Sequence, residues 1–191
     1  MEEDIRAYIN EGAEARKAIN VENIEVLGGR LYSAIKSGHK LITFGNGGSA
    51  ADAQHMAAEL TGRFSFERKS LPAIALTTNT SALTAIGNDY SYDEVFSRQV
   101  DGLVEKGDFV VGISTSGNSQ NVINALDAAR SKGAFTLALT GKKGGKIKDH
   151  ADSVIRVESE TTPIIQEVHV AVIHLICLVL DKRLKKDTVD G

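Results

Sequence analysis

Two glycine- and serine-rich turns constrain this sequence more than any other feature. The first, residues 45–49 (GNGGS), directly follows the apolar run 41–44. The second, residues 114–119 (STSGNS), directly follows the apolar run 109–113. Each turn precedes a helical segment, and the first N–H groups of a helix are free to bind an anion. Two such turns in a short chain favour an α/β enzyme that acts on a small phosphate ester.

Strand-like and helical segments alternate through the middle of the chain. Such alternation predicts parallel strands joined by right-handed crossovers. The strands are continuously apolar, which is typical of a sheet covered on both faces. The sequence therefore predicts an α/β fold, a three-layer sandwich around a five-stranded parallel sheet, with ligands beyond the carboxyl ends of the strands. The predicted strands are 40–44, 72–77, 108–113, 134–139 and 153–157, and the predicted helices between them are about 50–62, 92–105 and 119–132.

Extra helices are expected at both ends of this core. Residues 2–19 and 22–36 have helical patterns, and a long helix is predicted over about 164–186, after Pro163. The 191 residues suit one domain with a full hydrophobic core. The expected organisation is a single domain over 1–191, made of N-terminal helices (1–37), an α/β core (38–160) and a C-terminal helix (163–186).

Charge and cysteine content argue against several classes of protein. The net charge of −3 gives no general attraction to nucleic acid or to an anionic membrane surface. The single cysteine, Cys177, lies in an apolar run and is expected to be buried. With no signal peptide and no disulfide, the chain is expected to be cytoplasmic. The longest apolar stretch, interrupted by His169 and His174, is expected to fall short of the ~20 residues that span a bilayer.

The first turn opens a helix that carries His55 and Glu59, four residues apart and therefore on one face. An imidazole and a carboxylate at this spacing can bind a metal or transfer a proton. The simpler alternative is a surface pair that contributes a few tenths of a kcal/mol. The turn matches neither a dinucleotide fingerprint nor a Walker A motif, so a nucleotide site is not indicated.

The second turn offers hydroxyl groups at the start of a helix. Hydroxyls and free N–H groups donate to phosphate oxygens, and the helix dipole favours the anion. No lysine or arginine lies in this turn, which favours a sugar monophosphate over a triphosphate with Mg²⁺. The alternative is an ordinary N-cap in a serine-rich loop. The hydroxyl-bearing residues are Ser114, Thr115, Ser116 and Ser119.

The predicted C-terminal helix carries two histidines among apolar residues. His169 and His174 are about 140° apart around the helix axis, so they do not serve one site, and His169 is expected to be a buried core residue. Gln166 and His174 are about 80° apart and separated by about 12 Å along the axis. A site between Gln166 and His174 is within reach of both side chains.

Six segments together resemble the sugar isomerase (SIS) domain, and more closely its phosphoheptose isomerase family. The resemblance covers essentially the whole chain, in order and at matching spacing, and it implies a flavodoxin-like sheet. The serine turn alone marks only the broader superfamily, whereas the pairs His55/Glu59 and Gln166/His174 are more specific. The segments are 45–49 (GNGGS), 59–63 (ELTGR), 87–89 (GND), 112–119 (GISTSGNS), 139–141 (LTG) and 165–169 (IQEVH).

The resemblance implies that the chain converts sedoheptulose 7-phosphate to D-glycero-D-manno-heptose 7-phosphate, the first step of ADP-heptose synthesis for lipopolysaccharide or other surface glycans. It also implies a homotetramer with active sites at subunit contacts and one Zn²⁺ per subunit. The implied zinc ligands are His55, Glu59, Gln166 and His174. The implied substrate contacts are Asn46, Gly47, Gly48, Ser49, Glu59, Asn88, Asp89, Ser114, Thr115, Ser116, Ser119 and Gln166.

One segment departs from the family pattern. Some members have Asp-Arg-Ile before the glutamine where this chain has Pro163-Ile164-Ile165, so a substrate contact there is not carried over.

An aldose–ketose isomerase needs a base near the carbon that loses its proton and a group that stabilises the enediolate oxygen. Glu59 is the candidate base, and His174 is the candidate acid/base partner at O1 and O2. A glutamate locked to a metal is a poorer base, and the sequence leaves open which role dominates. Arg63 is a possible substrate or subunit contact. Asp52, Asp93 and Glu94 are expected only at helix starts and on solvated faces.

Two other classes of function remain as alternatives. A non-catalytic SIS module that senses a sugar phosphate, or that associates with the bacterial replication initiator, has a similar sequence but tends to lack the glutamate or the last histidine. Because Glu59 and His174 are both present, an enzyme is favoured. A sugar-responsive transcription regulator needs a helix-turn-helix domain, and residues 1–38 are too short and too acidic to form one.

Overall fold

A computed structural model describes residues 1–190 of the chain. Five strands and seven α-helices lie within these residues, and the five strands fall within the segments that the sequence predicts for them, to within two residues at their ends. The strands are β1 (Leu41–Gly45), β2 (Ala73–Ala75), β3 (Phe109–Ile113), β4 (Phe135–Gly141) and β5 (Ser153–Val157). The helices are α1 (Glu2–Lys17), α2 (Val21–Lys36), α3 (Gly48–Thr61), α4 (Thr80–Asp89), α5 (Ser97–Leu103), α6 (Gln120–Ser131) and α7 (Thr162–Asp190).

The sheet has the strand order β2-β1-β3-β4-β5, and every pair of neighbouring strands is parallel. This order confirms the predicted flavodoxin-like sandwich. Because β1 and β3 are neighbours, their last residues lie opposite each other, Gly45 beside Ile113. The two turns that follow these strands therefore lie side by side at the carboxyl edge of the sheet.

The core divides into two layers because alternate residues of a strand point to opposite faces. In β1, Leu41 packs with α2, α3 and α7 on one face, while Ile42 and Phe44 pack with α5 and α6 on the other. Strand β3 divides in the same way, with Val111 on the first face and Val110 on the second. Both faces are covered, which explains the continuously apolar strands.

The structure differs from the predicted elements in the segment after β2. Helix α4 was not predicted, because its threonine and serine residues favour helices only weakly. Its start is nevertheless marked by Asn79, whose side chain accepts a hydrogen bond from the Ala82 N–H at 3.0 Å. The single helix predicted over 92–105 is instead a short 3-10 turn, Tyr92–Glu94, followed by α5.

Helix α7 is longer than its apolar pattern predicts. The expectation that no segment reaches the length of a membrane span is wrong by length and composition, since Thr162–Thr188 satisfies both. More than half of its most apolar window is buried in the protein, and the core helix of a soluble protein passes the same test. Helix α7 packs on α1, α2 and α3.

A buried ion pair joins the C-terminal end of α3 to α7. The Arg68 Nε donates to Asp181 Oδ1 at 3.0 Å, and these side chains are only 7% and 1% exposed. The same guanidinium donates to the main-chain oxygens of Glu59 (2.8 Å) and Leu60 (2.9 Å), which are among the last carbonyls of α3. The other carboxylate oxygen of Asp181 accepts from the Ser65 N–H and hydroxyl, at 2.9 and 3.0 Å.

We expect Asp181→Ala to lower the free energy of unfolding by about 3–5 kcal/mol, because it leaves the Arg68 charge buried without its partner. The matched control is Glu14→Ala, which removes an exposed ion pair with Lys17 and should change stability little. Urea denaturation of the three proteins measures the difference. Equal stability of Asp181→Ala and the wild type would show that the pair does not hold α7 in place.

Candidate active site

The first turn is shaped by glycines that a side chain would disrupt. Gly47 precedes the first residue of α3 with a φ of +56°, a conformation that glycine adopts readily. At Gly45 a Cβ atom would approach two backbone oxygens, those of Ser49 at 2.8 Å and Ile113 at 2.9 Å. Gly47 and Gly48 are exposed, so the backbone of this turn is open to a ligand.

The second turn directs its hydroxyl groups toward one another. The Ser114 hydroxyl lies 2.9 Å from that of Ser119 and 3.5 Å from that of Ser116. Ser119 occupies the N-cap position of α6, but its side chain makes no capping hydrogen bond. The simple N-cap alternative therefore does not describe Ser119, and these hydroxyls are grouped as a phosphate-binding turn would require.

The helices that follow the two turns begin without a side-chain cap. The N-cap of α3 is Gly47, and that of α6 is the non-capping Ser119. By contrast, Asn20 and Asn79 cap α2 and α4 through their side chains. The N–H groups at the starts of α3 and α6 are thus available to an anion at the carboxyl edge of the sheet.

One cluster of ionisable side chains brings α3 and α7 together. The His55 Nε2 lies 2.8 Å from Glu59 Oε1 and 3.1 Å from His174 Nε2. One ligand atom from each residue lies within 4.8 Å of the others. All three side chains are partly buried, and the Phe64 ring lies 5.8 Å from the His174 ring. Glu59 and His174, predicted as the catalytic pair, therefore share one site.

The same cluster fits a divalent cation. Two imidazoles and a carboxylate are common ligands of first-row metals. A tetrahedral ion with bonds of about 2.0–2.1 Å separates its ligand atoms by about 3.3 Å. The observed separations from His55 Nε2, 2.8 Å to Glu59 and 3.1 Å to His174, are close to that spacing.

Gln166, the fourth predicted ligand, lies at the start of α7 over Gly48. A Cβ atom at Gly48 would approach the Gln166 Cδ to 2.9 Å. The Gln166 amide is therefore at the level of the first residue of α3, whereas His55 is seven residues, or about 10 Å, further along. Its role as a ligand stays a prediction, and its position beside the first turn also suits a substrate contact.

Asn46, another predicted substrate contact, is held in place by residues that the sequence analysis did not select. Its side-chain amide exchanges two hydrogen bonds with Asn121, and its oxygen accepts a third from the Tyr92 hydroxyl. Asn121 follows the serine turn as the second residue of α6, and this proximity is the one signal that the sequence offered.

Asp52 corrects one expectation. It was expected on a solvated face but is buried at 9% exposure, and its Oδ2 has no hydrogen-bond partner among the described residues. Burial raises the pKa of the Asp52 carboxyl to about 6, and the nearby His55 opposes this shift. The sequence did offer a signal that Asp52 lies near the cluster. Asp52 and His55 are three residues apart on α3 and therefore face the same side of the helix.

The remaining predicted residues lie outside the cluster. Asn88 and Asp89 are exposed at the end of α4, and their side chains bond to each other at 2.8 Å. Arg63 is also exposed, with its Nε 3.8 Å from Glu67. His169 is fully buried near the Thr140 carbonyl oxygen, and burial lowers its pKa to about 4, as expected for a core histidine.

Cys177 is buried at 1% exposure, as predicted. Burial raises the pKa of its thiol to about 12, and the negative charges of Glu59 and Asp181 act in the same direction. The thiol therefore stays protonated at neutral pH and takes no part in the chemistry of the cluster.

Comparisons with known proteins agree with the overall fold. A family model described as SIS domain matches residues 6–141. A protein of Thermoplasma acidophilum named probable phosphoheptose isomerase is 58% identical over 180 residues, covering 94% of this chain and 99% of that protein. The phosphoheptose isomerase GmhA of Neisseria gonorrhoeae has 44% identity and a TM-score of 0.86, covering 95% of this chain and 98% of that one. A phosphoheptose isomerase from Francisella tularensis has 32% identity and a TM-score of 0.89, covering 94% and 97%.

Two alanine substitutions in the first turn test its geometry. We expect Gly45→Ala to lower the free energy of unfolding by about 1–3 kcal/mol, because the new Cβ meets backbone atoms that cannot move independently. Gly48→Ala meets only the flexible end of Gln166, and alanine favours the helix, so its stability should be close to that of the wild type. Urea denaturation measures both, and equal losses would contradict the described packing.

Proposed function

The chain belongs to the SIS domain family and, within it, to the phosphoheptose isomerases, and from this premise we propose how its residues isomerise sedoheptulose 7-phosphate. The product is D-glycero-D-manno-heptose 7-phosphate, and the reaction begins ADP-heptose synthesis. The observation that carries the proposal is the convergence of Glu59 and His174 on one cluster from two different helices. A carboxylate and an imidazole in one site are the two proton-handling groups that this reaction needs.

The reaction moves one proton between carbons and one between oxygens. The ketose loses a proton from C1, passes through an enediolate, and gains a proton at C2. In the proposed mechanism Glu59 removes the C1 proton and returns it to C2. His174 transfers the other proton between O1 and O2, so that neither oxygen has to carry a full negative charge.

The carboxylate of Glu59 has one oxygen for each of its proposed tasks. Its Oε1 faces His55 at 2.8 Å, and among the described residues its Oε2 makes no hydrogen bond. We propose that Oε1 remains in the His55 cluster while Oε2 acts as the base. This division allows Glu59 to take part in a metal site and in proton transfer without leaving its position.

Zinc is the proposed metal of this cluster, held by His55, Glu59 and His174 with Gln166 as a further ligand. When bound, Zn²⁺ supplies Lewis-acid stabilisation of the carbonyl and enediolate oxygens. The two imidazoles and the carboxylate are ligands of the type that zinc prefers. His55 would bind the ion through its Nε2, which lies close to the ligand atoms of both Glu59 and His174.

The two turns are the proposed binding site for the rest of the substrate. The hydroxyls of the second turn and the N–H groups at the start of α6 bind the phosphate. The first turn contacts the sugar. The proposed substrate contacts are Asn46, Gly47, Gly48, Ser49, Glu59, Asn88, Asp89, Ser114, Thr115, Ser116, Ser119 and Gln166.

We propose a cytoplasmic homotetramer with active sites at subunit contacts, without nucleic-acid or membrane partners. Helix α1 supports such an assembly because Ile5, Tyr8 and Ile9 share one exposed face, at 55%, 37% and 61% exposure. An exposed apolar face on a helix is typical of a surface that packs against another chain. Subunit contacts would also explain why Asn88 and Asp89 lie apart from the cluster.

We expect Glu59→Gln to lower the turnover of sedoheptulose 7-phosphate by about 10²–10⁴-fold, the effect of removing a catalytic base. Purified wild type and variant are assayed side by side, with circular dichroism to verify folding. The matched control is Glu22→Gln, an exposed position on α2, which should retain full activity. A folded wild-type protein without turnover would favour the non-catalytic sensor instead.

We expect His174→Ala to weaken Zn²⁺ binding by at least about 100-fold, because it removes a proposed ligand, and the loss of even an outer-shell partner typically costs about 10–100-fold. Calorimetric titration of the metal-free protein with Zn²⁺ measures the affinity directly, and chelation should lower the turnover of the wild type. The control is His150→Ala, which removes a surface histidine paired with Asp127. Equal Zn²⁺ affinity in His174→Ala and the wild type would contradict the proposed ligand set.

A further inference from the structure

The two binding turns are joined by a pair of amides that exchange hydrogen bonds. The Asn46 Nδ2 donates to Asn121 Oδ1 at 2.9 Å, and the Asn121 Nδ2 donates to Asn46 Oδ1 at 3.0 Å. Asn46 belongs to the turn after β1, and Asn121 to the first turn of α6, directly after the serine turn. The pair therefore joins the turn after β1 to the start of α6, across 75 residues of sequence.

The orientation of the Asn46 amide is fixed by a third group. Its Oδ1 also accepts a hydrogen bond from the Tyr92 hydroxyl at 3.1 Å, so this oxygen accepts two hydrogen bonds. Among the described residues, only one N–H of the Asn46 Nδ2 is used, which leaves the other for a ligand. The arrangement thus determines which edge of Asn46 the substrate meets.

Asn121 itself is too deeply placed to bind the substrate. It is 3% exposed, whereas Asn46 is partly exposed. A buried amide needs partners for its donor and its acceptor, and Asn46 supplies both. An apolar side chain could fill this buried position, so the amide of Asn121 indicates a hydrogen-bonding role.

The geometry points to Asn121 as a positioning residue, which holds Asn46 and sets the spacing between the sugar-binding turn and the phosphate-binding turn. This inference rests on the proposed function. Because the phosphate is bound at the second turn and the reacting carbons lie toward the first, the amide pair sets where those carbons stand when the phosphate is in place. If the reacting carbons are misplaced, the reaction rate falls even when the catalytic groups are intact.

The test compares Asn121→Ala with Gln120→Ala, an exposed neighbour on α6 whose side chain bonds to Asn124 instead. We expect Asn121→Ala to lower kcat/KM for sedoheptulose 7-phosphate by about 10- to 100-fold, the effect of leaving a polar group without its partner. The inhibition constant of inorganic phosphate should not change, because the serine turn stays intact. Gln120→Ala should match the wild type in both measurements.

Tyr92→Phe provides a second variant at an exposed position, where folding is not at risk. It removes one of the two hydrogen bonds to Asn46 Oδ1 and should lower kcat/KM in the same direction by a smaller factor. If Asn121→Ala weakens phosphate inhibition as much as it lowers kcat/KM, its role is general folding and the positioning role is wrong. Unchanged kcat/KM in an active enzyme would also overturn it. An inactive wild type would overturn the proposed function itself, and the positioning role with it.

Discussion

The site depends on the side-by-side packing of α3 and α7, which run in the same direction. Three contacts mark this packing: the Gln166 amide lies over Gly48 at the start, His174 meets His55 in the middle, and Asp181 binds Arg68 at the end. On α7 these positions are separated by eight and then seven residues, and on α3 Gly48 and His55 are separated by seven. Nearly equal steps keep the two helices in register, so a shift at one contact would disturb the others.

In the proposed function, the turns at the edge of the sheet bind the substrate, and the helix pair α3 and α7 carries the groups that react with it. Because β1 and β3 are neighbours, the turns that follow them lie side by side. The starts of α3 and α6, which have no side-chain cap, are therefore close together. Helix α3 begins at the first of these turns and carries Glu59 eleven residues after Gly48. One continuous helix thus connects the backbone proposed to contact the sugar to the carboxylate proposed to remove its proton. In that mechanism the rigidity of α3 links the geometry of binding to the geometry of reaction.

The parts that the sequence predicted well are those set by short-range patterns. The strands and the pair His55/Glu59 follow from local patterns, and the parallel pairing of the strands follows from their alternation with helices, whereas the flavodoxin-like sheet came from the family resemblance. The partner of that pair, His174, came from family resemblance, because no local pattern relates positions 119 residues apart. Arg68 and Asp181 were not selected, since a charged residue in a loop or near a helix end usually faces water. Their burial is a consequence of tertiary packing. Asn121 was not selected either, because its burial and its hydrogen bonds to Asn46 also result from tertiary packing.

The Arg68 ion pair also bears on the two roles proposed for Glu59, as a metal ligand and as a base. The guanidinium holds the main-chain oxygen of Glu59 at 2.8 Å, so the backbone of this residue is anchored to α7. Any movement of the carboxylate during the reaction must then come from rotation of its own side chain. Because a carboxylate is planar and rigid, such rotation moves both of its oxygens by small distances, and Oε1 starts from its position 2.8 Å from His55. In the proposed mechanism a small rotation is enough for Oε2 to reach C1 and C2 of a bound sugar in turn, because adjacent carbons are only about 1.5 Å apart. The anchoring of the Glu59 backbone therefore fits a carboxylate that, as proposed, remains in the cluster while it transfers the proton.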